Sequence, residues 1–207
     1  KLTKWVVKLG GSMMQANELL EWIDVLSDPN PQTQCILVVG GGAFADCVRK
    51  LHSIWAFDEK LAHNLALDAM RVNARVLRAL APFAHLSSFE DIVARTEEET
   101  TLILSPTGPL PGNIVPETWA ATSDSIGLYL AQHLSAKALF LVKSLQADTL
   151  RAASAVTLSR EGVIDNSFPR LFARRPITTK LVSKTQFSDF AKAYRTGDVH
   201  GVGVAVT

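Results

Sequence analysis

The sequence predicts an α/β fold, a three-layer α/β/α sandwich around a mostly parallel open sheet, and three observations carry that prediction. Two short apolar runs, Trp5-Val6-Val7-Lys8-Leu9 and Cys35-Ile36-Leu37-Val38-Val39, each stop at glycines, as strands buried on both faces of a parallel sheet do. Between such runs lie stretches whose apolar residues recur at helical spacing. The two kinds of segment alternate along the chain, so helices are expected on both faces of the sheet.

In chain order, the first strand ends in Lys8-Leu9-Gly10-Gly11-Ser12. Asn17 to Leu26 carries Leu19, Leu20, Ile23 and Leu26 at helical spacing and leads into the second strand, a βαβ unit with a right-handed crossover. After Gly40-Gly41-Gly42, the residues Phe44, Cys47, Val48, Leu51 and Trp55 predict a helix that starts almost at Gly42. A second helix is expected from about Glu59 to Leu80, with Asp58 as N-cap and Pro82 as the stop. Further strands are read at Ala84 to Ser87, Thr101 to Leu104, Ala138 to Val142, Thr179 to Ser183 and Val202 to Val206. Ser105 to Ser123 holds Pro106, Pro109, Pro111 and Pro116 together with Gly108 and Gly112, and reads as a functional lid or site wall. Ala147 to Arg160 is polar and weakly periodic, and reads as mobile. At 207 residues the chain suits a single domain, 1–207.

Charge narrows the partners, because 21 Lys plus Arg stand against 20 Asp plus Glu. That balance argues against a nucleic-acid surface and for small-molecule ligands. The two cysteines, Cys35 in a strand and Cys47 on a helix, are expected to be buried thiols in a reducing compartment. No apolar run approaches the roughly 20 residues that cross a bilayer, and the amino terminus lacks the succession of a signal peptide. A cytoplasmic protein with no membrane partner is expected.

Lys8 stands at the carboxyl end of a strand with two glycines after it. In open α/β sheets ligands bind outside the carboxyl ends of the strands, so the lysine is placed to meet a phosphate. Glycines there let backbone N–H groups approach phosphate oxygens. A P-loop is excluded, since in GxxxxGK[ST] the lysine follows the glycines. The plainer reading is a tight turn with a lysine that reaches solvent. Gly40-Gly41-Gly42 repeats the arrangement one strand later, with a helix N-terminus behind it that supplies partial positive charge. Neither turn spells GxGxxG, which excludes a dinucleotide fingerprint.

Thr122-Ser123-Asp124-Ser125 opens a helix with Ile126, Tyr129, Leu130, His133 and Leu134 on one face. Capping by Thr122 or Ser123 accounts for the cluster as well as chemistry does. Beside the glycine turns, however, Asp124 suits a phosphoryl-transfer site, where a carboxylate orients lysines or holds Mg²⁺. Lys143 ends the strand Ala138 to Val142, so two lysines flanking a transferred phosphoryl group would be Lys8 and Lys143. Asp46 and Arg49 are three apart on one helix and read as a surface pair or as contacts for an acceptor substrate. His63 and Asp68 lie among apolar residues of the long helix, where a histidine is more often structural. No His/Cys cluster has zinc spacing, and no metal ligand is assigned. A GxSxG elbow is also missing.

Taken together, Lys8-Leu9-Gly10-Gly11-Ser12, Gly40-Gly41-Gly42 and Thr122-Ser123-Asp124-Ser125 with Leu128 to Lys143 resemble the amino-acid kinase family. The resemblance implies an ATP-dependent phosphotransferase that uses Mg²⁺ and moves the γ-phosphoryl group to a carboxylate or a phosphate monoester, without a covalent enzyme intermediate. It assigns Lys8, Asp124 and Lys143 to catalysis and Gly10, Gly11, Ser12, Lys143 and Ser144 to the nucleotide. Gly40, Gly41, Gly42, Asp46, Arg49, His63 and Ser123 fall to the acceptor. An acceptor lobe of about 1–140, a shortened nucleotide lobe of about 141–207 and a homo-oligomer are implied as well. The stretches 40–49, 63–70 and 119–125 look most like a short subgroup associated with methanofuran or methylofuran biosynthesis. Its activity is phosphorylation of an aminomethylfuran-methyl phosphate to the diphosphate. The chain departs from the larger kinases in lacking a Gly-Gly-Met-x-x-Lys segment, which leaves Lys143, Lys180 and Lys184 as alternatives for the second lysine. A carboxylate kinase and a non-catalytic nucleotide-binding module are the alternative functions.

Overall fold

The computed structural model describes residues 2–28, 30–95, 101–108, 110–111 and 115–207. Pro109 and Gly112, two of the turn formers read above, lie outside them. The strands are β1 (Thr3–Leu9), β2 (Thr33–Val39), β3 (His85–Ser87), β4 (Leu102–Leu104), β5 (Ala138–Lys143), β6 (Thr179–Ser183) and β7 (Val204–Ala205). Among the described residues they form one sheet in the order β3-β4-β2-β1-β5-β6-β7. Every pairing is parallel except β6 with β7. The last strand is shorter than the sequence suggests, since only Val204 and Ala205 pair with Leu181 and Lys180.

β1 is the centre of the sheet, in register Val6↔Ile36 on one side and Val6↔Leu139 on the other. Because side chains alternate along a strand, Trp5, Val7 and Leu9 face one helical layer while Val6 and Lys8 face the other. The first layer contains α1 (Leu19–Ser27) and α8 (Phe187–Thr196). Trp5 packs there against Phe140, Phe190 and Tyr194, with ring centroids 4.7, 5.9 and 5.6 Å away. Rings of this size each contribute about 1.5–3 kcal/mol by burial, which anchors β1 beneath its lysine. Opposite lie α4 (Phe89–Ala94), α5 (Ser123–His133), α6 (Ala155–Arg160) and α7 (Phe168–Arg174), whose apolar residues cluster with Val6, Ile36 and Leu139. α6 occupies the end of the stretch read as mobile.

Two helices differ from the sequence reading in a way that bears on the site. α5 was expected to be amphipathic, yet every residue from Ser123 to Gln132 is buried, because the helix lies between β1 and α7. Conversely α2 (Gly42–Trp55) has no buried residue. Its apolar stripe is exposed at Phe44, Leu51 and Trp55, and Cys47 is an exposed thiol rather than a buried one. α2 packs mainly on α3 (Glu59–Leu80), whose N-cap is Asp58, its side chain accepting a hydrogen bond from Lys60 N as the sequence predicts. Exposed Leu61, Val72, Val76 and Leu80 extend the apolar surface along α3.

Candidate active site

The chain leaves β1 to one side for β2 and returns on the other as β5, so the carboxyl ends of β1 and β5 form the switch point of the sheet. Both ladders run on into the turns. Gly10 N donates to Val142 O at 3.0 Å, and Gly40 N donates to Leu9 O at 3.0 Å. The glycine turns are thereby locked side by side. A Cβ on Gly11 would stand 2.2 Å from Gly42 N, and Gly42 itself adopts φ +52°. Close packing of one turn on the other therefore requires glycine at 11 and 42, whatever the ligand. Gly10 is less crowded: a Cβ there would lie 3.3 Å from Val142 O, 3.8 Å from Ser12 Oγ and 3.9 Å from Lys8 Nζ, so the bare backbone keeps this side of the lysine uncovered.

Lys8, Asp124 and Lys143 meet at this point. Lys8 Nζ lies 2.8 Å from Asp124 Oδ1, and Lys143 Nζ donates to both carboxylate oxygens, at 2.8 and 2.7 Å. Lys8 and Asp124 are 4% exposed, so the plainer reading of a lysine reaching solvent does not hold. Lys184, an alternative partner, pairs with Glu18 at 3.0 Å. Lys180 is opposite Phe140, short of the strand end. Of the three candidate lysines, Lys143 is the one in contact with Asp124. Burial would raise the Asp124 carboxyl, but the Lys143 and Lys8 ammonium groups outweigh it and hold the group well below the carboxylate range. Burial pushes Lys143 down to about 8, with Asp124 opposing and the like charge of Lys8 adding to the shift. Two ammonium groups thus share one carboxylate, and the charge of Asp165 also acts on Lys143. Ser12 Oγ and Ser144 Oγ, 2.8 Å apart, bridge the mouth above it.

A cleft of about 240 Å³ opens from the glycine turns between α2, α3 and the segment before α5. Gly11, Ser12, Gly40, Gly41, Gly42, Asp46, Arg49, His63 and Ser123 all line it. Asp46 and Arg49 bond to each other, Oδ1 to Nη1 at 2.6 Å, on an exposed surface. Arg49 also stacks over the ring of Trp119, 4.8 Å from its centroid. His63 is buried, which lowers its pKa, and it hydrogen-bonds the Thr118 backbone. Asp68, by contrast, points away and pairs with Arg71. Asn73 supports the triplet through Nδ2–H to Gly40 O at 2.7 Å.

Besides Asn73, sequence reasoning did not assign Trp119 or Asp165 to the site. Trp119 forms a wall of the cleft and is tied to α2 by Nε1–H donating to His52 Nδ1 at 3.2 Å. Its place in a proline-rich loop gave only the general expectation of a site wall. Asp165 is the real cap of α5. Thr122 occupies the N-cap position without a capping side-chain bond to the helix, and Asp165 accepts from Thr122 N at 2.8 Å and Ser125 N at 2.9 Å instead. No local pattern marks a residue that caps a helix 40 positions earlier.

Comparisons with known proteins bear on the family and the fold. The amino acid kinase family pattern matches residues 3–147. The [5-(aminomethyl)furan-3-yl]methyl phosphate kinase of Methanocaldococcus jannaschii is 29% identical over 138 residues, 66% of this chain and 63% of that protein. The chain thus spans less than two thirds of that relative's length. A uridylate kinase of Methanothrix thermoacetophila is 28% identical over 174 residues, covering 78% and 73% of the two chains. Among solved structures, uridylate kinase from Archaeoglobus fulgidus superposes with a TM-score of 0.73 at 20% identity, over 99% of this chain and 100% of that one. UMP kinase from Bacillus anthracis gives 0.67 at 14% identity over 99% and 96%. The structural likeness speaks for the fold, the relatives and fold neighbours are phosphotransferases, and the match over residues 3–147 places this chain in the amino acid kinase family.

Proposed function

We propose that this chain is an ATP-dependent kinase that phosphorylates a small phosphate monoester, and that the acceptor is an aminomethylfuran-methyl phosphate, converted to its diphosphate. The observation that carries the reading is the Lys8–Asp124–Lys143 cluster, two ammonium groups on one carboxylate, with Lys8 at the end of the strand that leads into Gly11 and Ser12 of the cleft lining and Asp124 next to Ser123 of that lining. A transferring phosphoryl group spreads negative charge over its oxygens, and two fixed ammonium groups stabilise it where that charge grows. Asp124 stays ionised and holds both lysines in place without reorganisation during the reaction. The bare backbone of Gly10 beside Lys8 Nζ and the hydroxyls of Ser12 and Ser144 suit the ATP phosphates. Mg²⁺ fits this site only as a companion of the nucleotide. Both Asp124 oxygens are engaged by ammonium groups, and among the described residues no cluster of three or more metal-binding side chains occurs. No step is assigned to the ion.

On the acceptor side, the amides at the start of α2 and the Arg49 guanidinium suit the acceptor phosphate, and Asp46 suits an ammonium group. Trp119 offers a flat face to a small ring. Residues 1–140 form the acceptor lobe of this reading and 141–207 the nucleotide lobe, in one domain. The exposed apolar residues of α2 and α3 support a homo-oligomer, and phosphorylated substrates suit a cytoplasmic protein.

The test is ATP consumption with product mass over aminomethylfuran phosphate, UMP and a panel of amino acids. A gain of one phosphoryl group on the furan phosphate is expected. Exclusive turnover of UMP overturns the acceptor assignment, and a hydroxamate trapped with hydroxylamine identifies a carboxylate kinase instead. Asp46→Asn activity equal to wild type on the furan phosphate removes the ammonium-binding role.

A further inference from the structure

Asp165 lies just before α7, 40 residues after Ser125 in the first turn of the helix it holds. Its carboxylate accepts six hydrogen bonds. Oδ2 takes Thr122 N–H, Thr122 Oγ1–H and Ser125 N–H at 2.8, 3.0 and 2.9 Å. Oδ1 takes Ser125 Oγ–H, Ser167 N–H and Phe168 N–H at 2.5, 3.2 and 3.0 Å. The same turn reaches the cleft wall, where Ser167 N–H donates to Ala120 O at 2.8 Å.

We propose that Asp165 is a positioning residue for phosphoryl transfer, fixing Asp124 and through it Lys8 and Lys143 by clamping the first turn of α5 from the nucleotide half. The reacting part of this inference rests on the kinase reading above. Asp124 stands between Thr122 and Ser125, both bound to Asp165, so the turn that carries it cannot rotate without breaking those bonds. Displacement of a reacting group by about 1 Å costs on the order of 10²-fold in rate, and the lysine contacts at 2.7–2.8 Å leave no slack for it. All six partners of Asp165 are donors, so a carboxylate is required. An asparagine would turn an NH₂ group onto donors on one side. Asp165 also acts by charge. The charged groups that face Lys143 are Asp124 on α5, Lys8 on β1 and Asp165 itself, and the Asp165 charge favours the ammonium form.

Asp165→Asn therefore has two expected effects. The turnover number falls about tenfold or more while KM for ATP stays within about twofold. The titration midpoint of Lys143, followed by NMR of its side chain, moves to lower pH. The second readout needs no turnover, so a wild-type protein that transfers no phosphoryl group sinks the kinase reading and leaves the role of Asp165 still decided by the titration. A folded Asp165→Asn protein with unchanged Lys143 midpoint and unchanged kcat overturns the proposal. So does one that melts earlier but keeps full kcat per folded molecule, since that is capping alone. If Asp165→Asn does not fold, Ser125→Ala removes one hydroxyl donor. With all four backbone N–H bonds to Asp165 kept, it is expected to lower kcat in the same direction but by less, and an unchanged kcat counts against the proposal.

Discussion

Replacing Asp124 by alanine would leave Lys8 and Lys143, both within 2.8 Å of the lost carboxylate and 4% and 15% exposed at their side chains, without their shared counter-charge. Removing one partner of a buried ion pair costs about 3–5 kcal/mol, because the remaining charge is stranded. For a domain of this size each kcal/mol is worth about 2–4 °C in Tm, so a fall of roughly 6–20 °C is expected at pH 7. Lys8→Met is the informative contrast. It leaves Asp124 doubly bonded to Lys143, so its loss is expected to stay at about 1.5–3 kcal/mol, the worth of one charge-assisted hydrogen bond. Thermal melts by circular dichroism at pH 7 and pH 9 measure both. In Asp124→Ala the Lys143 value drops below about 8, whereas the unfolded lysine keeps its proton to near 10.5. Wild type, with Lys143 at about 8, gains stability with pH only from about there upward, whereas the variant gains it from a lower pH at which its folded Lys143 has already lost the proton the unfolded chain keeps, so the deficit narrows by pH 9. An Asp124→Ala protein that melts within about 2 °C of wild type, or later than Lys8→Met, would refute the charge arithmetic.

Three further outcomes follow from the same geometry. With Lys143 protonated only below about 8, kcat/KM for ATP is expected to hold level below that pH and to fall about tenfold per unit above it. Lys143→Arg should carry the fall to higher pH, and an identical profile in the two proteins contradicts the role given to Lys143. Gly11→Ala drives a Cβ to 2.2 Å from the Gly42 backbone, where nothing flexible can yield, so it is expected to fail to fold, as judged by soluble yield and far-UV spectra. Gly10→Ala meets only Val142 O at 3.3 Å and should fold with weakened ATP binding. Trp119→Ala removes the cleft wall and the stack under Arg49, which should raise KM for the acceptor about tenfold, or about 1.4 kcal/mol, and leave KM for ATP unchanged. Equal changes in both constants would show that Trp119 supports the fold rather than the acceptor.

The sheet and the two glycine turns were legible because their signals are local: apolar runs that end at Gly10 and Gly40, and a lysine one residue short of the strand end. Lys8 was marked by its place at a strand end, and Asp124 was set apart from a helix cap only by the glycine turns read beside it. Lys143 was separable from Lys180 and Lys184 only once the parallel register placed β5 beside β1 and the strand end beside α5. The exposure of α2 could not be read from its periodicity, since an apolar stripe reports a covered face without saying what covers it. α5 erred in the opposite direction. Central helices are buried all round, and polar residues such as Ser125 and Gln132 are accommodated there by bonds to Asp165 and to the Leu171 and Arg175 carbonyls. Asp165 itself acts across 40 residues of chain, a distance over which no spacing rule operates.

The most direct test of the account is phosphoryl transfer from ATP by wild-type and Lys8→Ala protein, with aminomethylfuran phosphate as acceptor and product identified by mass. The account expects a diphosphate product from the wild type and a rate lower by roughly 10²-fold or more in Lys8→Ala, as when a transition-state charge stabiliser is lost. A wild-type protein that yields no phosphorylated product from this or any other tested phosphate monoester, or a Lys8→Ala protein that turns over as fast as wild type, would contradict it.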